Sequence, residues 1–336
     1  MVLSMATMVG FLPQAILGTL IGVLVDRWNR KWVMIGADLI IAAAGAVLAI
    51  IALMAQLPVW VIMIILFIRS IGTAFHSPAL SAATPLLVPE SQLTKCAGYS
   101  QSVQSVSLIF SPAIAAFLYS TWDLNTVIAL DVLGALVACF TVAIVSIPKQ
   151  ETKPNMVQSS IFAESKAGYS IIKENQGLFA LLWIGALYCF VYMPISALFP
   201  LMSISYFGGT TAHASIVEIV FAVGMLAGGL LLSAWGGFKK RSVSIILSLA
   251  AMGAALTVAG LLPANGFLVF VICCTAMGLS APFYNGVQMA LFQEKIPPEY
   301  LGRVFGLYGS IMSLSMPLGL IISGIFADQI GINVSA

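Results

Sequence analysis

The sequence predicts an all-α integral membrane protein. Hydrophobic residues make up 60% of the chain and charged residues 8%, with a mean hydropathy of +1.06. Soluble domains, by contrast, are about 25% charged. Ten apolar stretches approach the ~20 residues that a spanning helix requires, and a backbone surrounded by lipid has to satisfy its hydrogen bonds within a helix. Lys and Arg residues fall in alternate loops, which is typical of a multi-pass topology.

The ten predicted spans are separated by short polar segments. They cover residues 1–25, 32–55, 59–87, 96–120, 126–147, 178–205, 214–235, 242–262, 267–292 and 304–327. One longer polar segment, 148–177, divides them five and five. We therefore expect a bundle over 1–147, a cytoplasmic linker over 148–177 with a short amphipathic helix near 161–172, and a bundle over 178–336.

The cations indicate which loops face the cytoplasm. All but one of the 14 Lys and Arg residues lie in five segments: Arg27, Arg30 and Lys31; Lys95; Lys149, Lys153, Lys166 and Lys173; Lys239, Lys240 and Arg241; Lys295 and Arg303. The loops between them, at 56–58, 121–125, 207–213 and 263–266, have none. Cationic loops stay inside, so the basic set is expected in the cytoplasm. The net charge of +2 is too small to suggest a nucleic-acid partner, and the Lys and Arg residues cluster by loop and not along one binding face.

An internal repeat relates the two halves. The segment from Leu93, preceded by Pro-Glu, resembles the segment from Leu301, also preceded by Pro-Glu, and Gly18 with its following loop resembles Gly228 with its loop. Six helices separate equivalent positions, so both copies have the same orientation in the membrane. We expect two pseudo-symmetric bundles of a twelve-helix design, of which about ten helices are present and the first and last are absent.

The first cationic loop carries a recognisable motif. Residues 22–31 read GVLVDRWNRK and resemble the G-x-x-x-D-R-x-x-R-K signature of the major facilitator superfamily. Gly22 would let a neighbouring helix approach closely. Asp26 would pair with cations or with a helix N-terminus, and breaking such a latch would bias a conformational equilibrium. The alternative is a plain cationic loop. The predicted gating residues are Gly22, Asp26, Arg27, Arg30 and Lys31, with Lys239, Lys240 and Arg241 in the second copy, whose loop lacks the acid and should form a weaker latch.

The remaining cation, Arg69, lies within an apolar span. Its depth of ten residues corresponds to roughly 15 Å, near the bilayer midplane, where a charge costs at least ~2.5 kcal/mol. We expect it to face a cavity or an acid, and Thr73 and His76 share its helix face. The alternatives are an Arg satisfied by carbonyl groups and a His that only packs. The sequence RSIG at 69–72 is similar to a motif of drug-proton antiporters in this superfamily.

Glu218 is the candidate proton carrier of the second copy. A carboxyl group in apolar surroundings holds its proton more tightly than in water, which suits exchange near neutral pH. The alternative is a Glu that faces water at the interface. Asp38 and Asp131 also fall within spans, but both are near helix ends, where snorkelling or capping would explain them.

Six aromatic residues are candidates for a cavity that binds a bulky apolar ligand: Phe75, Tyr99, Tyr188, Tyr192, Phe221 and Tyr284. The sequence has no loop for nucleotide phosphates and no cluster of metal-ligating residues. No cofactor is therefore expected, and the energy source should be an ion gradient.

The likeness extends to one branch of the superfamily. Five stretches resemble the macrolide efflux branch of bacterial drug-proton antiporters: residues 35–45, 66–78, 88–98, 190–194 and 292–303. The resemblance implies a transporter, not an enzyme, which exports macrolides through the cell membrane in exchange for protons by alternating access. The alternatives are a truncated membrane protein that binds drug or partner helices without turnover, and a ten-helix metabolite carrier with an inverted repeat.

Overall fold

The fold was analysed in a computed structural model that describes residues 2–54, 58–148 and 160–330. Within these ranges, side chains are described except at 2–7, 54, 124, 193, 197 and 320–330. The described chain forms helices without any strand. The helices are α1 (Val2–Arg27), α2 (Arg30–Met54), α3 (Val59–Leu87), α4 (Leu93–Thr121), α5 (Leu124–Ile144), α6 (Ile161–Glu174), α7 (Gln176–Ser205), α8 (Thr211–Trp235), α9 (Arg241–Gly260), α10 (Phe267–Lys295) and α11 (Leu301–Ile330).

The predicted membrane class is confirmed. In the described part of the chain, nine helices are long and apolar enough to cross a membrane, and they coincide with nine of the ten predicted spans. The tenth prediction, 304–327, lies within α11, whose side chains from residue 320 onward are outside the described part. Short 3-10 turns at Glu90–Gln92 and Pro298–Tyr300 precede α4 and α11 respectively, where the repeat places its Pro-Glu pairs.

The amphipathic linker helix is α6. Ser160 caps it by accepting a hydrogen bond from the Ala163 amide at 3.3 Å, and Ile172 is fully buried on its inner face. Asn175 ends α6, and its side-chain oxygen accepts from the amide of Gly177 at 3.1 Å. The turn from α6 into α7 is therefore short and internally bonded. Linker residues 149–159 lie outside the described residues.

The helices group into two compact units. The first unit contains the described residues of Met1–Leu87, Ala116–Ala186 and Ile296–Pro317, and the second contains those of Val88–Ala115, Leu187–Lys295 and Leu318–Ala336. The units are defined by contacts between residues, and each contains three separate ranges of the sequence. The division into sequence-continuous bundles at 1–147, 148–177 and 178–336 stays a prediction.

In the first unit, α3 packs against both α1 and α2, and α2 also packs against α5. Buried apolar residues such as Ile21, Val25 and Ala79 form a core in this unit. Small residues permit the close packing, since a Cβ at Gly72 would lie 2.7 Å from the Ile41 side chain.

The first unit also contains a close contact between α1 and the beginning of α11. A Cβ at Gly18 would lie 2.6 Å from the Ser310 hydroxyl and 3.0 Å from the Gly306 carbonyl oxygen. At Gly22 it would overlap the carbonyl oxygen of Gly302. Only glycine permits this approach of two backbones.

The second unit repeats that contact with α8 and α4. A Cβ at Gly229 would lie 2.5 Å from the Ser102 hydroxyl and 3.1 Å from the Gly98 carbonyl oxygen. Ser233 lies one turn after Gly229 on α8, and a Cβ at Gly98 would lie 2.5 Å from its amide. Gly229 contacts Ser102 and Gly98 as Gly18 contacts Ser310 and Gly306, so the structural equivalent of Gly18 is Gly229 and not Gly228, which the sequence comparison paired with it. The same glycine–serine contact in both units supports the parallel repeat.

Candidate functional site

The first cationic loop holds the N-terminus of α11. Asp26 Oδ1 accepts a hydrogen bond from the Gly302 amide at 2.7 Å, and Oδ2 accepts one from the Arg303 amide at 2.9 Å. The first amides of a helix have no acceptor within the helix and carry its positive dipole end, so a carboxylate here satisfies both requirements. The Asp26 side chain is 1% exposed. We call this arrangement, with the basic and acidic side chains described next, the latch.

Two arginines complete the charge balance around Asp26. Arg30 Nη2 lies 3.5 Å from Asp26 Oδ1, and Arg303 Nε lies 3.5 Å from Oδ2. Arg30 also donates to the carbonyl oxygen of Ala82 at 3.0 Å and to that of Pro298. Because the cations and the helix N-terminus converge on one buried carboxylate, removal of Asp26 would leave several donors without their acceptor.

Glu164 of the linker helix is a latch member that sequence analysis missed. Its carboxylate lies 2.8 Å from Arg27 Nη2 through one oxygen and 2.8 Å from Arg303 Nη2 through the other. Ser165 fixes the same helix by donating to the Thr19 carbonyl oxygen at 3.3 Å. The signal that could have indicated Glu164 is its place in the first turn of an amphipathic helix within a cationic linker.

Lys31 lies to one side of the latch. Its Nζ donates to the carbonyl oxygens of Ala143 at 2.7 Å and Val145 at 3.0 Å, at the end of α5. The last carbonyl groups of a helix lack partners within the helix, so a lysine stabilises them. Lys31 therefore connects α2 to α5 in this structure.

The corresponding loop of the second copy uses a different acid. Arg241 Nη2 lies 2.8 Å from Glu294 of α10, and Arg241 also donates to the Thr94 hydroxyl and to the Glu90 carbonyl oxygen. Lys239 and Lys240 are exposed. The loop itself lacks an acid, as its sequence shows, but Glu294 provides one from the end of a neighbouring helix.

Arg69 has an acidic partner within the membrane-spanning region. Its Nη1 lies 2.5 Å from Asp131 Oδ2, which joins α3 to α5 beside Gly45 of α2. The sequence suggested snorkelling or capping for Asp131 and did not predict this ion pair. Both α3 and α5 begin at loops without cations, so both helices are predicted to start on the same side of the membrane. A comparison of how far Arg69 and Asp131 lie from the starts of their helices could therefore have paired them.

Thr73 and His76 follow Arg69 on α3. The Thr73 hydroxyl donates to the Arg69 carbonyl oxygen at 3.2 Å, which is a bond within the helix. His76 Nε2 lies 3.7 Å from Asp38 Oδ1 of α2. Asp38 is 8% exposed and is therefore buried between helices, so snorkelling to the membrane surface does not describe it.

Glu218 lies on the exposed side of α8. Its neighbours Ile216 and Ile219 are also exposed, whereas Val217 is buried. The structure therefore leaves Glu218 accessible from outside the second unit. Its proposed role in proton transfer remains a prediction.

Three of the six aromatic candidates meet in the second unit. Tyr188 stacks on Tyr192 with ring centroids 4.9 Å apart and lies 4.7 Å from the ring of Tyr284. Phe75 instead stacks on Trp28, with ring centroids 6.2 Å apart, beside the first cationic loop. The other two are apart from this trio: Tyr99 is exposed and Phe221 packs at the contact of α8 with α10.

Comparison with known proteins identifies the family. Residues 1–320 match the family model for the Major Facilitator Superfamily. The chain belongs to the major facilitator superfamily. It is therefore a multi-pass membrane protein.

Two relatives within the superfamily are similar along nearly the whole chain. The chain is 64% identical to macrolide efflux protein A of Streptococcus pyogenes over 99% of its own length and 82% of the relative. It is 63% identical to the protein of the same name from Enterococcus faecalis, over 95% of its own length and 99% of the relative.

Solved structures of superfamily members share the fold. The human organic anion transporter TETRAN superposes with a TM-score of 0.82 at 13% identity, covering 98% of this chain and 79% of that one. The fucose:proton symporter of E. coli superposes with a TM-score of 0.75 at 15% identity, covering 99% and 86%. At such low identity these structures support the major facilitator fold alone.

Proposed function

We propose that this protein exports macrolide antibiotics from bacterial cells in exchange for protons, by alternating access. The supporting observation is its identity of 63–64% to two proteins named macrolide efflux protein A, spread over at least 95% of the chain. The proposal describes a transporter whose substrate leaves chemically unchanged, so no catalytic residue is assigned.

The latch supports the alternating-access part of the proposal. Asp26 binds two amides at one helix end and is also close to two arginines, so its contacts with α11 would form or break together. A set of interactions present in only one conformation shifts the equilibrium by its own free energy. We propose that the latch stabilises the conformation described here and opens during the transport cycle.

The ion pair within the membrane supports the proton-coupled part. A guanidinium group keeps its proton in a protein, whereas a carboxylate group is able to bind one. A proton on Asp131 would remove the negative charge that Arg69 pairs with. We therefore propose that the ion pair of Arg69 forms and breaks with the loss and gain of a proton on Asp131. We also propose that Glu218 carries a proton, because it is an acid on an exposed face of a spanning helix.

The tyrosine trio supports a site for a large ligand in the second unit. Aromatic rings offer broad apolar contact and polar tips, which suits a macrolide ring with its attached sugars. Tyr188 is the partly buried member, between the buried Tyr192 and Tyr284. We propose that Tyr188 is the member that contacts drug.

The test is export of a radiolabelled macrolide from cells that express the chain, with and without a protonophore. We expect export that stops when the gradient is collapsed. Arg69→Ala should abolish export, and Glu218→Gln should slow it and change its pH dependence. Glu174→Gln, which removes an exposed acid at the end of α6, is the matched control. Export that continues without a gradient would contradict the coupling, and drug binding without export would favour the non-transporting alternative.

A further inference from the structure

A second pair of ionisable side chains lies inside the first unit, apart from the latch and from Arg69. Asp38 Oδ1 lies 3.7 Å from His76 Nε2, across the contact of α2 with α3. Asp38 is eight residues beyond the start of α2 at Arg30, or roughly 12 Å along the helix. The pair is therefore well inside the membrane-spanning part of both helices.

One oxygen of the Asp38 carboxylate has no partner. Asp38 is 8% exposed, and its buried Oδ2 has no hydrogen bond among the described residues. The distance from Oδ1 to His76 exceeds that of a hydrogen bond. A buried carboxylate in such a setting is costly when charged, and buried polar atoms are otherwise almost always satisfied. A bound proton would remove the charge and turn the carboxyl group into a donor.

No fixed cation neutralises Asp38. On α1, α2, α3 and α5, the other described ionisable side chains are Asp26, Arg27, Arg30, Lys31, Arg69, Asp131 and Cys139. The cations among them have other partners: Arg27 pairs with Glu164, Arg30 with Asp26, Lys31 with carbonyl oxygens of the α5 end, and Arg69 with Asp131. The Cys139 thiol donates to the Ile35 carbonyl oxygen. The charge of the pair is therefore set by the protons that Asp38 and His76 bind, and imidazole exchanges protons near neutral pH.

We propose that Asp38 and His76 form a second proton-carrying site, in addition to Glu218, for the proton-coupled export proposed above. Proton uptake breaks one O–H bond of a hydronium ion and forms one O–H bond at Asp38 Oδ2 or one N–H bond at His76 Nε2, leaving a water molecule. Release to a water molecule on the cytoplasmic side breaks that bond and forms hydronium again, so nothing is oxidised or reduced. The inference rests on the proposed function, since a carried proton matters only if a gradient drives export.

The experiment compares two kinds of transport in proteoliposomes that contain the full chain. The first is uptake of labelled erythromycin driven by an imposed pH gradient, and the second is counterflow of the same drug without a gradient. The variants are Asp38→Asn and His76→Gln. His213→Gln is the matched control, because the chain has two histidines and His213 caps α8 by accepting a hydrogen bond from the Thr210 amide at 3.0 Å. Glutamine can make the same capping bond.

We expect Asp38→Asn and His76→Gln to lower gradient-driven uptake at least tenfold while counterflow stays within twofold of the wild type. His213→Gln should change neither. Driven uptake within twofold of the wild type in both variants would overturn the proposal. Loss of both kinds of transport in both variants would also overturn it, because the pair would then be structural. A wild-type chain without gradient-driven uptake would instead contradict the proposed function itself.

Discussion

Substitution of Asp26 by Asn tests the latch most directly. Gly302 and Arg303 are the second and third residues of α11, where amides have no acceptor within the helix. Their protection from exchange with solvent therefore depends on the Asp26 carboxylate. Asn has a similar shape and keeps one acceptor oxygen, but it replaces the other oxygen with a donor that faces an amide.

The size of the effect follows from the contacts. A hydrogen bond to a charged group contributes about 1.5–3 kcal/mol, and the Asp26 side chain is 1% exposed, so solvent screening is small. The loss of one such bond corresponds to roughly 10- to 150-fold faster exchange at the two amides. Asp26→Ala removes both acceptors, and its effect should be larger, at about 3–5 kcal/mol.

The assay is hydrogen–deuterium exchange of the full chain in lipid nanodiscs, read from overlapping peptides that cover the start of α11. Asp123→Asn is the matched control. Asp123 directly precedes α5, and its Oδ1 accepts a hydrogen bond from the Thr126 hydroxyl, which lowers the pKa of this carboxyl group; Asn keeps an oxygen that can accept the same bond. Exchange within threefold of the wild type at Gly302 and Arg303, in both Asp26 variants, would refute the reasoning.

Three further substitutions test other parts of the site. Glu164→Gln should speed the amide exchange of α6, because it removes a partly buried acid that pairs with two arginines. Glu174→Gln should not have this effect, and equal exchange in the two variants would count against the contact. Gly22→Ala should lower the free energy of unfolding by about 1–3 kcal/mol through overpacking, and with it the thermal midpoint. Gly36→Ala has open space around its Cβ position and should be neutral or stabilising. Equal midpoints in the two variants would be inconsistent with the close helix approach. Asp131→Asn should reduce macrolide export at least tenfold with normal expression, and wild-type export would show that its ion pair has no role in coupling.

The helices were predictable because the bilayer restricts the backbone. Any stretch of ~20 apolar residues in lipid has to be helical, whatever it packs against. The spans and the family motif could therefore be derived without contacts, and so could the amphipathic helix α6. The role of Gly22 in close packing also followed from its place in the motif.

The partners of the charged residues were less accessible to prediction. Asp131 and Asp38 were assigned to helix ends because each was considered along its own helix. In the structure each faces a basic side chain of α3, at 2.5 Å and 3.7 Å respectively. Glu294, likewise, is remote in sequence from the loop whose arginine it pairs with.

The sequence by itself determined the membrane class and the order of the spanning helices, because these depend on local hydrophobicity. Only the tertiary structure decided which charges are paired. Asp26 and Gly302 are 276 residues apart, and Arg27 and Glu164 are 137 apart. The energy of an ion pair depends on distances of a few ångströms between helices, and those distances are set by packing around glycines that no single segment specifies.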